Sequence, residues 1–138
     1  MSDAPTSRGS NDREAHRPRI DWENVPGSGR LAGRVAVVVG AGQAPGETIG
    51  NGRAVSITFA REGAKLVLVD RDPESLAQTA SRCPGDVVQV VADMTEDDAP
   101  TRVVEAAVDA FGGIDVLHNN IGIGAGDAPP HHLTDEAF

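Results

Sequence analysis

The sequence predicts a doubly wound α/β fold on a parallel sheet of strand order 3-2-1-4. Three observations carry this prediction. Apolar runs and helix-patterned segments alternate four times from Leu31 onward, the signature of right-handed βαβ units. The links between them are short. Five glycines lie between Gly40 and Gly52, directly after the first apolar run, which suggests that something approaches the backbone closely there.

Each element has its own justification. Residues 34–39, RVAVVV, form a continuous apolar run, as a strand covered on both faces requires. Residues 53–63, RAVSITFAREG, read as a helix stopped by Gly63. Residues 65–70, KLVLVD, give a second buried strand. Asp72 and Pro73 supply an N-cap and a first-turn proline for a helix through about Arg82. Residues 87–93, VVQVVAD, are the third strand. Thr95 opens a T-x-x-D signal for the next helix, placing Glu96, Asp97 and Asp98 in its first turn, where acids suit the dipole. Its apolar stripe is Val104, Ala107, Val108 and Phe111, and Gly112-Gly113 ends it. Residues 114–119, IDVLHN, form the fourth strand, and Thr134 is placed to cap a further helix.

Residues 1–30 are polar and aperiodic, and are expected to form a flexible arm. Ile20, Trp22 and Val25 are candidates to pin its end to the body, residues 31–138. Five arginines balance five acids in the arm, so the body carries the whole net charge of −9. An acidic body without a basic stripe argues against nucleic acid and anionic membranes as partners. Cys83 is the single cysteine, which excludes an internal disulfide and a cysteine metal site. No 18-residue apolar run and no apolar signal region are present, so no membrane span is expected and the cytoplasm is the expected compartment. His131-His132 lacks further metal ligands and reads as a solvated loop. His118 reads as a packed strand residue.

A helix N-terminus presents unpaired N–H groups and a positive dipole end to a pyrophosphate, and glycines let the phosphates reach them. The pattern G-x-G-x-x-G starts at Gly40-Ala41-Gly42 but fails at Pro45. The segment from Gly46 through Ile49 to Gly50 and Gly52 fits G-x-x-x-G-x-G, yet lies far from the strand end. Gly40 therefore reads as the turn glycine and Gly50 and Gly52 as the pair opening the helix, with about six extra residues bulging between. Asp70 ends the second strand 18 residues after Gly52, where an acid for ribose hydroxyls is expected at about 20.

With LAGRVAVVVGAG (31–42), IGNGRA (49–54), VADM (91–94) and HNNIG (118–122), the chain from Leu31 to Phe138 resembles the short-chain dehydrogenase/reductases. It departs from their pattern at Val39, where threonine is usual, and at Ile121, which replaces alanine. The resemblance implies a Rossmann-like domain that holds a dinucleotide. Asp93 and Met94 would meet the adenine, Asn119 would border the cofactor ribose, and Asn120 would tie neighbouring strands, with Ile121 and Gly122 completing the element. Asp70 suits both ribose hydroxyls of NAD and repels the 2′-phosphate of NADP, whereas Arg71 favours that phosphate. NAD is the expected cofactor and NADP the alternative.

The implied reaction is hydride transfer between a nicotinamide and a small alcohol or carbonyl substrate, in an enzyme that forms homo-oligomers at full length. In such enzymes a serine and a Tyr-x-x-x-Lys set carry the proton chemistry. This sequence has no tyrosine, and its sole lysine, Lys65, starts the second strand. No catalytic residue is assigned, and no metal site. The expectation is the N-terminal half of a longer enzyme, catalytically silent alone, and marginally stable and aggregation-prone with a bare edge beside its fourth strand. Two alternatives stand: a nucleotide-binding module without chemistry, and an S-adenosylmethionine methyltransferase. Asn119 to Gly122 and Arg53-Ala54 count against the latter.

Overall fold

The computed structural model describes residues 24–122. Four parallel strands form one sheet in the order β3-β2-β1-β4: β1 (Val35–Val39), β2 (Lys65–Asp70), β3 (Val87–Val91) and β4 (Val116–Asn119). Helices α1 (Asn51–Arg61), α2 (Pro73–Ala80) and α3 (Ala99–Phe111) make the crossovers. This is the predicted fold class and strand order.

The continuous apolar runs follow from burial on two sides. Ala36 and Val38 of β1 pack with Leu66, Leu68, Ile57 and Ala60 of α1 and Leu76 of α2. Val37 and Val39 pack on the opposite face with Val67, Val69 and the α3 residues Ala99, Val103 and Ala107. Each fully buried valine or leucine stabilises the fold by about 1.5–3 kcal/mol relative to exposure, so neither face of β1 tolerates a polar residue. All five of its residues are buried.

Element boundaries differ from the predicted ones. Helix α1 starts at Asn51, before Arg53, and α2 stops at Ala80. Asp72 caps α2 as predicted, accepting from the amides of Glu74 and Ser75 at 3.0 and 3.2 Å. Strand β3 ends at Val91 and β4 begins at Val116. Thr95 does not cap α3, because Asp93 captures it: the amide and hydroxyl of Thr95 donate to Asp93 Oδ1 at 3.0 and 2.7 Å. The helix opens at Ala99 with Asp98 as N-cap, so the acids precede its first turn. The α3 stripe is also rotated from the predicted one. Ala99, Val103 and Ala107 are buried, while Val104 and Val108 are 49% and 48% exposed. The two alanines let the helix approach the sheet closely, which turns the other valines onto its flank.

The end of the expected arm is held by polar contacts, not by Val25, which is exposed. The Glu62 carboxylate accepts from the Ser28 amide and hydroxyl at 3.1 and 3.0 Å and from the Arg30 amide at 2.9 Å. The Leu31 amide donates to the Glu62 carbonyl at 2.8 Å. Residues 28–31 thus strap the C-terminus of α1, and the Arg30 amide leads the contacts that lower the Glu62 pKa. Ile20, Trp22, His131, His132 and Thr134 lie outside the described residues.

Among the described residues, strand β4 is an edge of the sheet. Its Leu117 is 66% exposed. His118 packs edge-on to Phe59 with ring centroids 6.3 Å apart, and its Nε2 is buried without a hydrogen-bond partner among the described residues. Cys83 is buried, which pushes its thiol up to about 11. Among the described residues no helix is long and apolar enough to cross a membrane, and no cluster of metal-ligating side chains occurs.

Candidate functional site

The strand registers bring four chain segments level at one end of the sheet. Val39 pairs with Val69 and with Asn119, and Asp70 pairs with Val91. The residues that follow, Gly40, Arg71, Ala92 and Asn120, therefore share the carboxyl edge, where α/β sheets take ligands.

The glycine stretch turns over this edge. Gly40 leaves β1 with φ +75°, and the amides of Gly40 and Ala41 both donate to the Val69 carbonyl at 2.9 Å. Asn120 ties the ends of β1 and β4 together, its amide donating to the Val39 carbonyl at 3.0 Å and its Nδ2 to the Gly40 carbonyl at 3.4 Å. The Gly42 amide then donates to Asp70 Oδ2 at 2.7 Å. A methyl group at Gly42 would lie 2.6 Å from that same oxygen, so only glycine allows this bond. The Asp72 amide donates to Asp70 Oδ1 at 3.0 Å, so both carboxylate oxygens are oriented by backbone.

Beyond Gly42 the loop is closed at its base. The Gln43 amide donates to Ser75 Oγ at 2.6 Å, and Ser75 Oγ donates to the Gln43 carbonyl at 3.1 Å. The Gly50 amide donates to Gln43 Oε1 at 3.2 Å. Residues 44–48 project into solvent from this clasp. Gly50 is the N-cap of α1. A side chain on Gly52 would collide with the Gly40 carbonyl oxygen, so the first turn of α1 lies directly on the end of β1.

These segments enclose a cavity of about 610 Å³, within the 300–1,000 Å³ that small-molecule sites occupy. Of the predicted residues, Gly40, Gly42, Gly50, Gly52, Asp70, Arg71, Asp93, Met94, Asn120, Ile121 and Gly122 line it. Three do not. Gly46 lines a smaller space of about 240 Å³ between the loop and α2. Ile49 packs on the core, and Asn119 is the exposed last residue of β4. The lining also holds Gln43, Asn51, Asp72, Ser75 and Thr95, which sequence reasoning missed as site residues. Asp72 and Thr95 carried visible helix signals, and those masked their place at the edge.

Acids dominate the rim. Asp70, Asp72 and Asp93 line the cavity with Arg71. The Thr95 amide, then its hydroxyl, hold the Asp93 carboxyl below the usual carboxylate range, and the charge of Arg71 adds to this. A first helical turn carrying about half a positive charge, glycines that let α1 and Asp70 close onto the end of β1 and a backbone-held carboxylate are groups that could hold a diphosphate and a ribose.

Comparison with known proteins agrees with this geometry. The model of a family described as short chain dehydrogenase matches residues 34–138. An uncharacterized oxidoreductase of Mycobacterium bovis is 37% identical over 110 residues, covering 78% of this chain and 42% of that protein. The structure of a 3-ketoacyl-acyl-carrier-protein reductase from Brucella melitensis, complexed with NADH, superposes with a TM-score of 0.63 at 34% identity, over 78% of this chain and 41% of the other. A metagenomic short-chain oxidoreductase in complex with NADP gives a TM-score of 0.63 at 31% identity, over 78% and 47%. The chain thus spans less than half the length of the relatives it matches.

Proposed function

The chain belongs to the short-chain dehydrogenase family, and from that membership we propose that it holds a nicotinamide dinucleotide, NAD in preference to NADP, for an oxidoreductase acting on a small alcohol or carbonyl compound. The observation that carries the reading is Asp70. Its two oxygens each accept one backbone amide and each keeps a further acceptor position, the arrangement that suits two vicinal ribose hydroxyls. The remaining residues fit the rest of the ligand. Gly50, Asn51 and Gly52 at the start of α1 would meet the diphosphate, and Asp93 and Met94, which line the same cavity, would meet the adenine.

Charge favours NAD. One added phosphate charge about 4 Å from a carboxylate costs about 4 kcal/mol at an effective dielectric of 20. Arg71 offsets part of this, but it already interacts with Asp93.

When bound, a nicotinamide supplies hydride exchange with a substrate carbon. The residues of this chain would bind and orient it. A second reading, a nucleotide-binding module without turnover, makes the same use of these residues.

Titration of the purified chain with NADH, followed by nicotinamide fluorescence, tests the first reading. Saturable binding is expected, tighter for NADH than for NADPH, with no competition by S-adenosylmethionine. Failure of NADH to saturate, or displacement by S-adenosylmethionine, would overturn it. Steady-state turnover measured on the protein as its source expresses it separates the oxidoreductase from the silent module.

A further inference from the structure

Arg53 is the one charged residue among the buried side chains of the described residues, at 5% exposure, and it does not line the main cavity. It stands behind the cavity, on the second residue after the Gly50–Asn51 junction, and reaches from α1 to α2. Its Nε donates to Thr79 Oγ1 at 2.9 Å. Its Nη2 contacts the Ser75 carbonyl at 3.2 Å, Gln78 Oε1 at 3.3 Å and Ser75 Oγ at 3.4 Å. Thr79 and Ser75 are themselves buried.

Both hydroxyls continue into the glycine loop. Thr79 Oγ1 donates to the Ala41 carbonyl at 2.9 Å, sharing its proton with the Ser75 carbonyl at 3.2 Å. Ser75 Oγ donates to the Gln43 carbonyl at 3.1 Å. The Ala41 carbonyl and the Gly42 amide belong to one planar peptide unit. Fixing the oxygen of that unit therefore fixes the direction of its N–H, which is the one that meets Asp70 Oδ2 at 2.7 Å. Arg53 occupies a lone pair of Thr79 Oγ1, so it also orients the hydroxyl that holds the Ala41 carbonyl.

From this relay we infer that Arg53 is a positioning residue for the ribose-binding carboxylate, acting through Thr79 and the Ala41–Gly42 peptide. The inference rests on the dinucleotide reading above. A polar network with Arg53, Ser75 and Thr79 buried is costly to interrupt, because the groups left behind lose their partners. Loss of Arg53 frees the Thr79 hydroxyl to turn to the Ser75 carbonyl alone. The peptide is then released, and the Asp70 carboxylate loses one of the two amides that set its orientation, the one on Oδ2. The consequence falls on recognition of the adenosine ribose, not on the diphosphate contacts of α1.

The test compares NADH with its analogue lacking the adenosine 2′-hydroxyl, by calorimetric titration of the full chain. Wild type is expected to prefer NADH by about tenfold or more, the worth of a hydrogen bond to a charged group. In Arg53→Met and in the near-isosteric Thr79→Val that ratio is expected to fall toward one, and in Arg53→Lys to recover in part, since an ammonium keeps the charge and donors but lacks the planar fork of the guanidinium. A merely structural role would weaken both ligands alike and leave the ratio unchanged, and that result would overturn the inference. Where Arg53→Met fails to fold by circular dichroism, Thr79→Val carries the comparison. Absence of any preference in wild type would instead strike the ribose reading of Asp70 itself.

Discussion

The carbonyl oxygen of Gly40 fills the place where a side chain on Gly52 would begin. Helix α1 and strand β1 therefore meet backbone to backbone, and the first turn of the helix is set against the strand end by the absence of one carbon. Gly52→Ala is expected to destabilise the chain by about 1–3 kcal/mol, the cost of overpacking a well-packed contact, and to abolish NADH binding, because relief requires the α1 N-terminus to move off the sheet. Urea denaturation and fluorescence titration measure the two effects.

Gly46 is the opposite case. A methyl group there meets nothing within 4 Å, and its φ is not positive. Gly46→Ala is expected to leave NADH affinity unchanged and to raise stability by up to about 1 kcal/mol, through a less flexible unfolded chain. A tenfold loss of affinity would show that the pattern beginning at Gly46, and not the turn at Gly40, receives the diphosphate.

Asp70→Asn keeps an acceptor for the Gly42 amide but removes the charge. NADH affinity is expected to fall about tenfold, and NADPH affinity to rise as the repulsion disappears, so the preference between the two narrows. Parallel titrations with both nucleotides decide the matter, and an unchanged ratio would exclude Asp70 as the discriminating group.

Glu62 predicts a pH dependence for the strap over α1. Its folded pKa is depressed, first by the Arg30 amide, so its contribution to stability is complete above the unfolded value of 4.5. It is lost as the pH falls through the lower folded value. Hydrogen exchange of the Ser28 and Arg30 amides is expected to accelerate in that acid window, beyond the intrinsic trend. Glu62→Gln is expected to show the acceleration already at neutral pH. Equal protection in the variant would mean that the strap is held by other contacts.

The sheet was legible because a strand buried on both faces has no polar positions, and the stretches VAVVV (35–39) and LVLV (66–69) show none. Asp70 was legible as a cavity residue because the end of β2 fixes its place at the carboxyl edge of the sheet. The phase of α3 was not, since Val104 and Val108 satisfy an apolar spacing as well as Val103 does, and only contact with the sheet selects among them. Arg53 escaped for a different reason. Arginine in a helix usually lies in solvent, and nothing local indicates that Thr79, 26 residues later, will cover it. Ser75 and Gln43 were hidden in the same way, as polar residues whose partners are set by tertiary structure.

Strand β1 pairs on one side with a segment that begins about 30 residues later and on the other with one about 80 residues later, matching Val35 to Lys65 and Ala36 to Val116. On a ribosome that adds about 5–20 residues per second, the first neighbour emerges several seconds before the second. Through that interval one flank of the most apolar of the described strands stands open, and the Val35 amide waits for the Asp115 carboxylate that will accept it at 2.8 Å. The nascent chain is therefore most exposed to holdase chaperones between synthesis of β2 and release of β4, and slow codons placed within α3 would lengthen that exposure.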